Sequence, residues 1–247
     1  MNEWSEQKWI DARDNCVTST DIGKIMGCDD SCSRRMLMDY KLNKIDPQEN
    51  TSEYTKLLLK LGSEFESAAL SECQLKFRNH HISSNGSIPG MTPHPEMNWL
   101  TGTPDYIMDH QNGYKCVVEV KTHWNPTPEE ARPIQSVETI PLKYWLQIQA
   151  YMEILNFDYY GYLWSWTINN GSRCYRIRRD KKFWLTTILP EILLFRNIFE
   201  GLDPNIDDLL FKRGQKGELV IKVRNAMVNS SKLFLVDGEF PNHSIPI

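Results

Sequence analysis

The sequence predicts an α/β (α+β) domain in which a central mixed β-sheet is flanked by helices. Three observations predict it. Helical and strand-like segments alternate along the chain. Two strand pairs each turn on an Asn-Gly step, at Asn112-Gly113 and Asn170-Gly171. A proline-free helical pattern over residues 54–77 precedes both pairs. At 247 residues, 40% hydrophobic and 24% charged, the chain holds enough apolar material for one large domain. We therefore expect a single domain over 1–247, with its core at about 10–200 and a C-terminal extension at 201–247.

Residues 18–26 and 33–43 read as short helices, and 44–53, polar with Pro47, as a surface loop. In 54–77, Leu57, Leu58, Leu61, Phe65, Ala68 and Ala69 recur at helical spacing. Residues 79–98 carry two glycines and three prolines, which predicts turns and short extended pieces. Strands are expected near 103–109 and 114–121. After a proline-bearing loop at 123–140, Pro141 opens a helix that runs to about Leu155, because a first-turn proline loses no hydrogen bond. Strands at 159–168 and 173–179 and a helix near 181–200 follow. Glu218–Arg224 and Lys232–Val236 are expected to pair as a small terminal hairpin.

Composition narrows the function classes. No stretch reaches the roughly 20 apolar residues that a bilayer span needs, and the N-terminus lacks the basic and apolar regions of a secretory signal. An intracellular, soluble protein without a membrane partner is expected. The six cysteines are scattered and read as free thiols, and Cys28 with Cys32 is too small a set for a closed zinc site. The net charge of −4 disfavours a protein that coats nucleic acid, yet Arg173, Arg176, Arg178, Arg179, Lys181 and Lys182 lie close together. That run fits either a DNA-facing stripe or a solvated surface.

The chemistry-bearing residues gather around one strand pair. In Val118-Glu119-Val120-Lys121, alternation sends Glu119 and Lys121 to one face and the valines to the other. Asp105, after Thr103-Pro104, lies across the Asn-Gly turn, where antiparallel pairing brings it near Glu119. Two converging carboxylates repel unless a cation lies between them. Hard oxygen donors suit Mg²⁺ or Mn²⁺, and with the lysine they suit metal-dependent cleavage of a phosphodiester. Glu66 shares a helix stripe with Leu59, Gly62, Ala69, Leu70 and Cys73, so it needs a partner, whether metal or arginine. Glu64 reads as solvent-facing. Gln147 and Tyr151, four apart, share a face of the Pro141 helix, and Gln149 lies off its buried stripe.

These segments resemble a known family. Gly62-x-x-x-Glu66, Thr103-Pro104-Asp105, Glu119-Val120-Lys121 and Gln147-Ile148-Gln149-Ala150-Tyr151-Met152 occur in the order seen in lambda-type exonucleases. Those enzymes form the YqaJ-like viral recombinase group of the PD-(D/E)XK nucleases. Arg13-x4-Thr18-Ser19-Thr20-Asp21-Ile22 extends the match, which covers roughly residues 10–180. The resemblance implies Mg²⁺-dependent (or Mn²⁺-dependent) 5′-to-3′ digestion of duplex DNA in viral-type recombination. An endonuclease or single-strand nuclease of the same fold, and a non-catalytic DNA-binding recombination protein, are the alternatives.

By the same resemblance, Glu66, Asp105, Glu119 and the Val120 carbonyl would hold the metal. Lys121 would position the attacking water, and Gln147 and Gln149 fall at the helix motif. Arg13, Thr18, Thr20 and Thr103 would hold a 5′-phosphate. Tyr151 of the helix motif, and Arg176 and Arg178 of the basic run, are further candidates for DNA contact. Double-stranded DNA ends, a single-strand annealing protein and a homo-trimer are the implied partners. The sequence departs from the family's pattern in four places. Threonines stand at 20 and 103 where serine is common, and the gap from Asp105 to Glu119 is longer. No basic residue closely follows Lys121, Arg132 being the nearest, and a C-terminal cysteine cluster is absent.

Overall fold

A computed structural model describes residues 15–43, 52–79, 85–87, 89–110, 113–123, 130–202, 211 and 215–236. Its elements are β1 (Val17–Thr18), α1 (Asp21–Ile25), α2 (Arg34–Asn43), α3 (Glu53–Asn79), β2 (Asn85–Ser87), β3 (Thr92–Pro93), β4 (Leu100–Gly102), β5 (Tyr106–Asp109) and β6 (Lys115–Thr122). A 3-10 turn at Val137–Thr139 leads into α4 (Leu142–Ile154), β7 (Tyr160–Trp166) and β8 (Ser172–Arg178). Then come α5 (Lys181–Phe183), a π turn at Trp184–Ile188, α6 (Leu189–Phe199), α7 (Gln215–Ser230) and β9 (Ser231–Val236).

The main sheet has the order β2-β5-β6-β7-β8-β9 and a smaller one the order β1-β4-β3. Both are mixed. In the main sheet β6 and β7 run parallel and every other neighbour is antiparallel. In the smaller one β1 is parallel to β4 and β3 antiparallel to it. Among the described residues no helix is long and apolar enough to cross a membrane.

Helices cover both faces of the main sheet. On one face, Ala69, Cys73 and Phe77 of α3 pack against Met108, Val118, Val120, Trp164 and Cys174. On the other, Trp145, Ile148 and Met152 of α4 pack with Val117, Leu163, Tyr175 and Ile177. Gly161 permits that second contact, because a Cβ there would lie 2.5 Å from the Ile148 Cγ2 methyl. Ser52 starts α3 by accepting a hydrogen bond from the Thr55 N–H at 3.2 Å. Asp180 caps α5 through the Phe183 N–H at 2.9 Å.

Four expectations are corrected. The segment 103–109 is not one strand: Thr103-Pro104-Asp105 separates β4 from β5, and the two belong to different sheets. Proline cannot donate to a ladder, so pairing breaks there. Residues 18–26 open as a strand before turning helical at Asp21. The helix expected at 181–200 carries a π turn directly before Pro190, whose missing N–H prevents an unbroken α ladder. The terminal hairpin does not form. Glu218–Arg224 lies within α7, whose Leu219, Val223 and Met227 recur every four residues and are buried, and β9 pairs instead with β8. Helical spacing decided the outcome over the alternation read from a short window.

Candidate active site

The pairing of β5 with β6 sets Tyr106 opposite Val118, which places Asp105 beside Glu119 at the mouth of the hairpin. The Val120 N–H donates to Asp105 Oδ2 at 2.7 Å and fixes that carboxylate. Glu119 and Lys121 leave β6 on the opposite face from Val118 and Val120, and the Lys121 ammonium pairs with Glu119 Oε1. The Asp105 charge acts on both Glu119 and Glu66. Asp105 thus stands between an acid of α3 and the Glu119–Lys121 pair of β6.

The electrostatics are those of crowded, desolvated acids. Glu119 is 1% exposed, and its Oε2 has no hydrogen-bond partner among the described residues. Burial pushes its carboxyl up to about 8; Lys121 opposes this rise and the Asp105 charge adds to it. Burial likewise raises Asp105. Partial burial and then the Asp105 charge raise Glu66. Burial works to lower the Lys121 pKa, but Glu119 and Asp105 outweigh it and hold the ammonium well above the ordinary lysine range. Lys121 also sits 5.1 Å from the centre of the Tyr144 ring.

Glu66 differs from its expected setting. The N-terminal half of α3 is solvent-exposed, Leu59 included, and burial begins only at Ala69 and Leu70. Glu66 is thus an exposed residue where the helix meets the sheet, with its carboxyl turned to Asp105. Gly62 admits Thr122, whose hydroxyl lies 3.4 Å from the Gly62 carbonyl. Lower on α3, Glu72 accepts from Trp166 Nε1 at 2.7 Å and from the Ser172 hydroxyl at 2.9 Å, which ties the helix to β7 and β8.

A cavity of about 290 Å³ opens beside the acids, lined by Thr18, Ser19, Thr20, Thr103, Gln147 and Tyr151 as well as Asp105, Glu119 and Lys121. The Thr18 and Thr20 hydroxyls are 2.8 Å apart. Gln147 Nε2 donates to the Tyr151 hydroxyl at 2.7 Å, and that hydroxyl donates to the Thr103 carbonyl at 3.1 Å. Gly102 leaves room for the Tyr151 ring, which a Cβ would meet at 2.8 Å.

Other predicted residues lie elsewhere. Both ends of the Gln149 amide are engaged away from the cavity: Nε2 donates to the Arg178 carbonyl and Oε1 accepts from the Asp180 N–H, each at 2.9 Å. Arg176 pairs with Tyr162, which faces α3, and its guanidinium stacks over Tyr160 at 4.7 Å. Arg178, two residues on, shares that face, so neither arginine is on the Glu119 side of the sheet. Arg179 is buried against Glu153, so the basic run is no single stripe. Arg13 lies outside the described residues.

Sequence reasoning missed Ser19, which lines the cavity, and His123, which continues the Glu119-Lys121 alternation and bonds Ser165 Oγ at 2.8 Å. Position within Thr18-Ser19-Thr20 and the period of two were the available signals.

The residues fit a hard divalent cation in donor chemistry: three carboxylates, one of them buried with an unpartnered oxygen. Among the described residues no three His, Cys, Asp or Glu side chains form a ready-made metal cage. Lys121 is the cation that Glu119 holds.

The fold is that of the alkaline exonuclease of Laribacter hongkongensis (LHK-Exo). That crystal structure matches with a TM-score of 0.61 and 19% identity over 79% of this chain and 93% of that one. Its complex with dAMP matches with a TM-score of 0.62 and 19% identity over 82% and 96%. Residues 8–158 match the YqaJ-like viral recombinase domain, and the chain belongs to that family. No curated protein matches it.

Proposed function

We propose that this chain is a Mg²⁺-dependent (or Mn²⁺-dependent) nuclease that hydrolyses phosphodiester bonds of duplex DNA, working as an exonuclease from 5′ ends. The observation that carries the reading is Glu119: a buried carboxylate with an orphan oxygen, next to a second acid and a lysine. Such a group costs stability unless a cation or proton compensates it.

A bound divalent ion would lower the pKa of a water and offset charge on the scissile phosphate. Glu66, Asp105, Glu119 and the Val120 carbonyl would hold it. Asp105 needs no reorganisation for this, since the Val120 N–H already orients it. Lys121 carries a proton throughout the physiological range and meets charge that develops on the phosphate. Thr18, Thr20 and Thr103, joined by Ser19, would receive the 5′-phosphate in the cavity beside the acids. Tyr151 and Gln147 set that cavity's wall. The similar structure with dAMP fits the release of mononucleotides.

Digestion of a linear 5′-phosphorylated duplex with Mg²⁺ tests the proposal. Mononucleotides released from the 5′ end support it, and nicks in a closed circle would favour an endonuclease instead. No hydrolysis with either Mg²⁺ or Mn²⁺, alongside salt-sensitive binding, would leave a DNA-binding protein. A ring of three copies and a single-strand annealing partner belong to the same proposal, and sedimentation on duplex DNA would test the first.

A further inference from the structure

A second cavity, of about 350 Å³, includes Arg132, Gln135, Asn170, Ser172 and Arg173 in its wall, and among the described residues no acidic side chain lines it. Its wall is built, not incidental. The segment carrying Arg132 and Gln135 is pinned to the sheet where the Ile134 N–H donates to Ser165 Oγ at 2.7 Å and the Tyr175 hydroxyl donates to the Ile134 carbonyl at 2.5 Å. Asn170 Nδ2 donates to the Ala131 carbonyl at 2.7 Å, and the Arg173 guanidinium donates to the Gln135 carbonyl. Two guanidiniums thus border one polar cleft on a fixed frame.

Register relates this cleft to the acids. Lys121 pairs with Ser165, and Ser165 pairs with Arg173, so Lys121 and Arg173 stand level on the same face. Two interstrand spacings separate them, roughly 10 Å. That span is comparable with the groove widths of a duplex, about 6–12 Å. Planar guanidinium forks match phosphate oxygens in pairs.

We propose that this cleft binds one backbone phosphate of the duplex whose end lies at the acid cluster. The inference rests on the nuclease reading above and adds a second anchoring point, on the far side of Ser165 from Lys121. It assigns DNA contact to Arg132 and Arg173 rather than to Arg176 and Arg178.

The test is fluorescence anisotropy of a short 5′-phosphorylated duplex in EDTA, across a range of NaCl, with turnover measured separately in Mg²⁺. In the Arg132→Gln, Arg173→Gln double variant, Kd should rise about tenfold, and the slope of log K against log salt should become shallower by about 0.9, the share of one phosphate. Turnover should fall most at low DNA concentration and recover as DNA is raised, a KM rather than a kcat effect. Arg173→Lys keeps the charge and a donor toward Gln135. It should weaken binding while leaving the slope in place, and it carries the test should the double variant fail to fold.

An unchanged Kd and slope, with wild-type cutting intact, would overturn this site alone. A double variant that loses binding, in a protein that never cuts, would overturn the nuclease reading and leave the phosphate cleft standing. Inorganic phosphate that weakens wild-type DNA binding as far as the double substitution does, at constant ionic strength, would replace the duplex with a free-anion ligand.

Discussion

Asp21 and Glu119 are both buried acids close to the same cavity, 5% and 1% exposed, yet their surroundings are opposite. Asp21 Oδ2 accepts from the Thr18 N–H and hydroxyl, each at 2.9 Å, and pairs with Lys41 at 3.1 Å, while Lys24 lies 3.8 Å from Oδ1. Burial alone would raise its pKa, but the two lysines and Thr18 outweigh it and hold the carboxyl below its usual range. Glu119 has Lys121 and an oxygen that no described residue bonds, and its carboxyl is raised to about 8. One acid is spent on holding the N-terminal strand and helix together. The other retains capacity for a ligand, and that difference marks function where burial alone does not.

The largest expected effect concerns the lysine beside the uncompensated acid. Lys121→Ala should cut turnover of a 5′-labelled duplex by at least about 100-fold, since a group facing developing charge is removed. Mg²⁺ binding, followed by calorimetry, should persist in that variant and vanish in Glu119→Ala. Wild-type turnover without Lys121 would remove it from the mechanism.

The same comparison predicts a contrast in stability. Asp21→Asn removes the charge that Lys41 and Lys24 share and should cost about 3–5 kcal/mol in urea unfolding. Glu119→Gln should cost far less, and a loss equal to that of Asp21→Asn would break the distinction drawn here.

Acidity gives the two residues opposite signatures. Glu119 is raised in the folded state, so its contribution is complete below about 4.5 and disappears as pH climbs through about 8. Metal-free protein should therefore lose Tm across that window, and Glu119→Gln should flatten the loss. Asp21 is lowered, so its contribution is present above its ordinary value of 3.8 and is lost as pH falls through its folded pKa. Thermal melts of both variants against pH, in EDTA, check the signs.

Smaller effects are expected from residues that only position others. Glu72→Ala removes the bonds to Trp166 and Ser172 and should cost about 2 kcal/mol. It should also weaken Mg²⁺ binding modestly through Glu66, on the same helix. Gln149→Ala should cost about 1 kcal/mol with turnover nearly unchanged, because its amide serves the β8–α5 link.

Much of the site could be read before folding was known, and the reasons are local. Alternation put Glu119 and Lys121 on one face, and antiparallel pairing of the two strands brings Asp105 alongside, while Asn112 of the expected turn lies outside the described residues. The Pro141 signal and the Gln147–Tyr151 spacing placed two cavity residues on α4. What stayed hidden depends on long-range partners. The exposure of Glu66 follows from where α3 leaves the sheet, which no helical pattern records. Gln149 looked equivalent to Gln147 until the Arg178 and Asp180 backbone claimed its amide. The opposite faces of Arg173 and Arg176 follow from alternation, but only the sheet order says which face carries the acids. β9 was legible as a strand at 232–236, but its partner was not, because β8 lies more than fifty residues earlier.

That late strand has a consequence for synthesis. Among the described residues, the edge of β8 away from β7 is paired with Ser231–Val236 alone. A ribosome releasing this polypeptide must deliver thirty-odd residues beyond α6 before that edge is sealed. Premature termination anywhere in the interval leaves an open template for intermolecular pairing, so truncated products should accumulate as aggregates even with Glu66, Asp105 and Glu119 all in place.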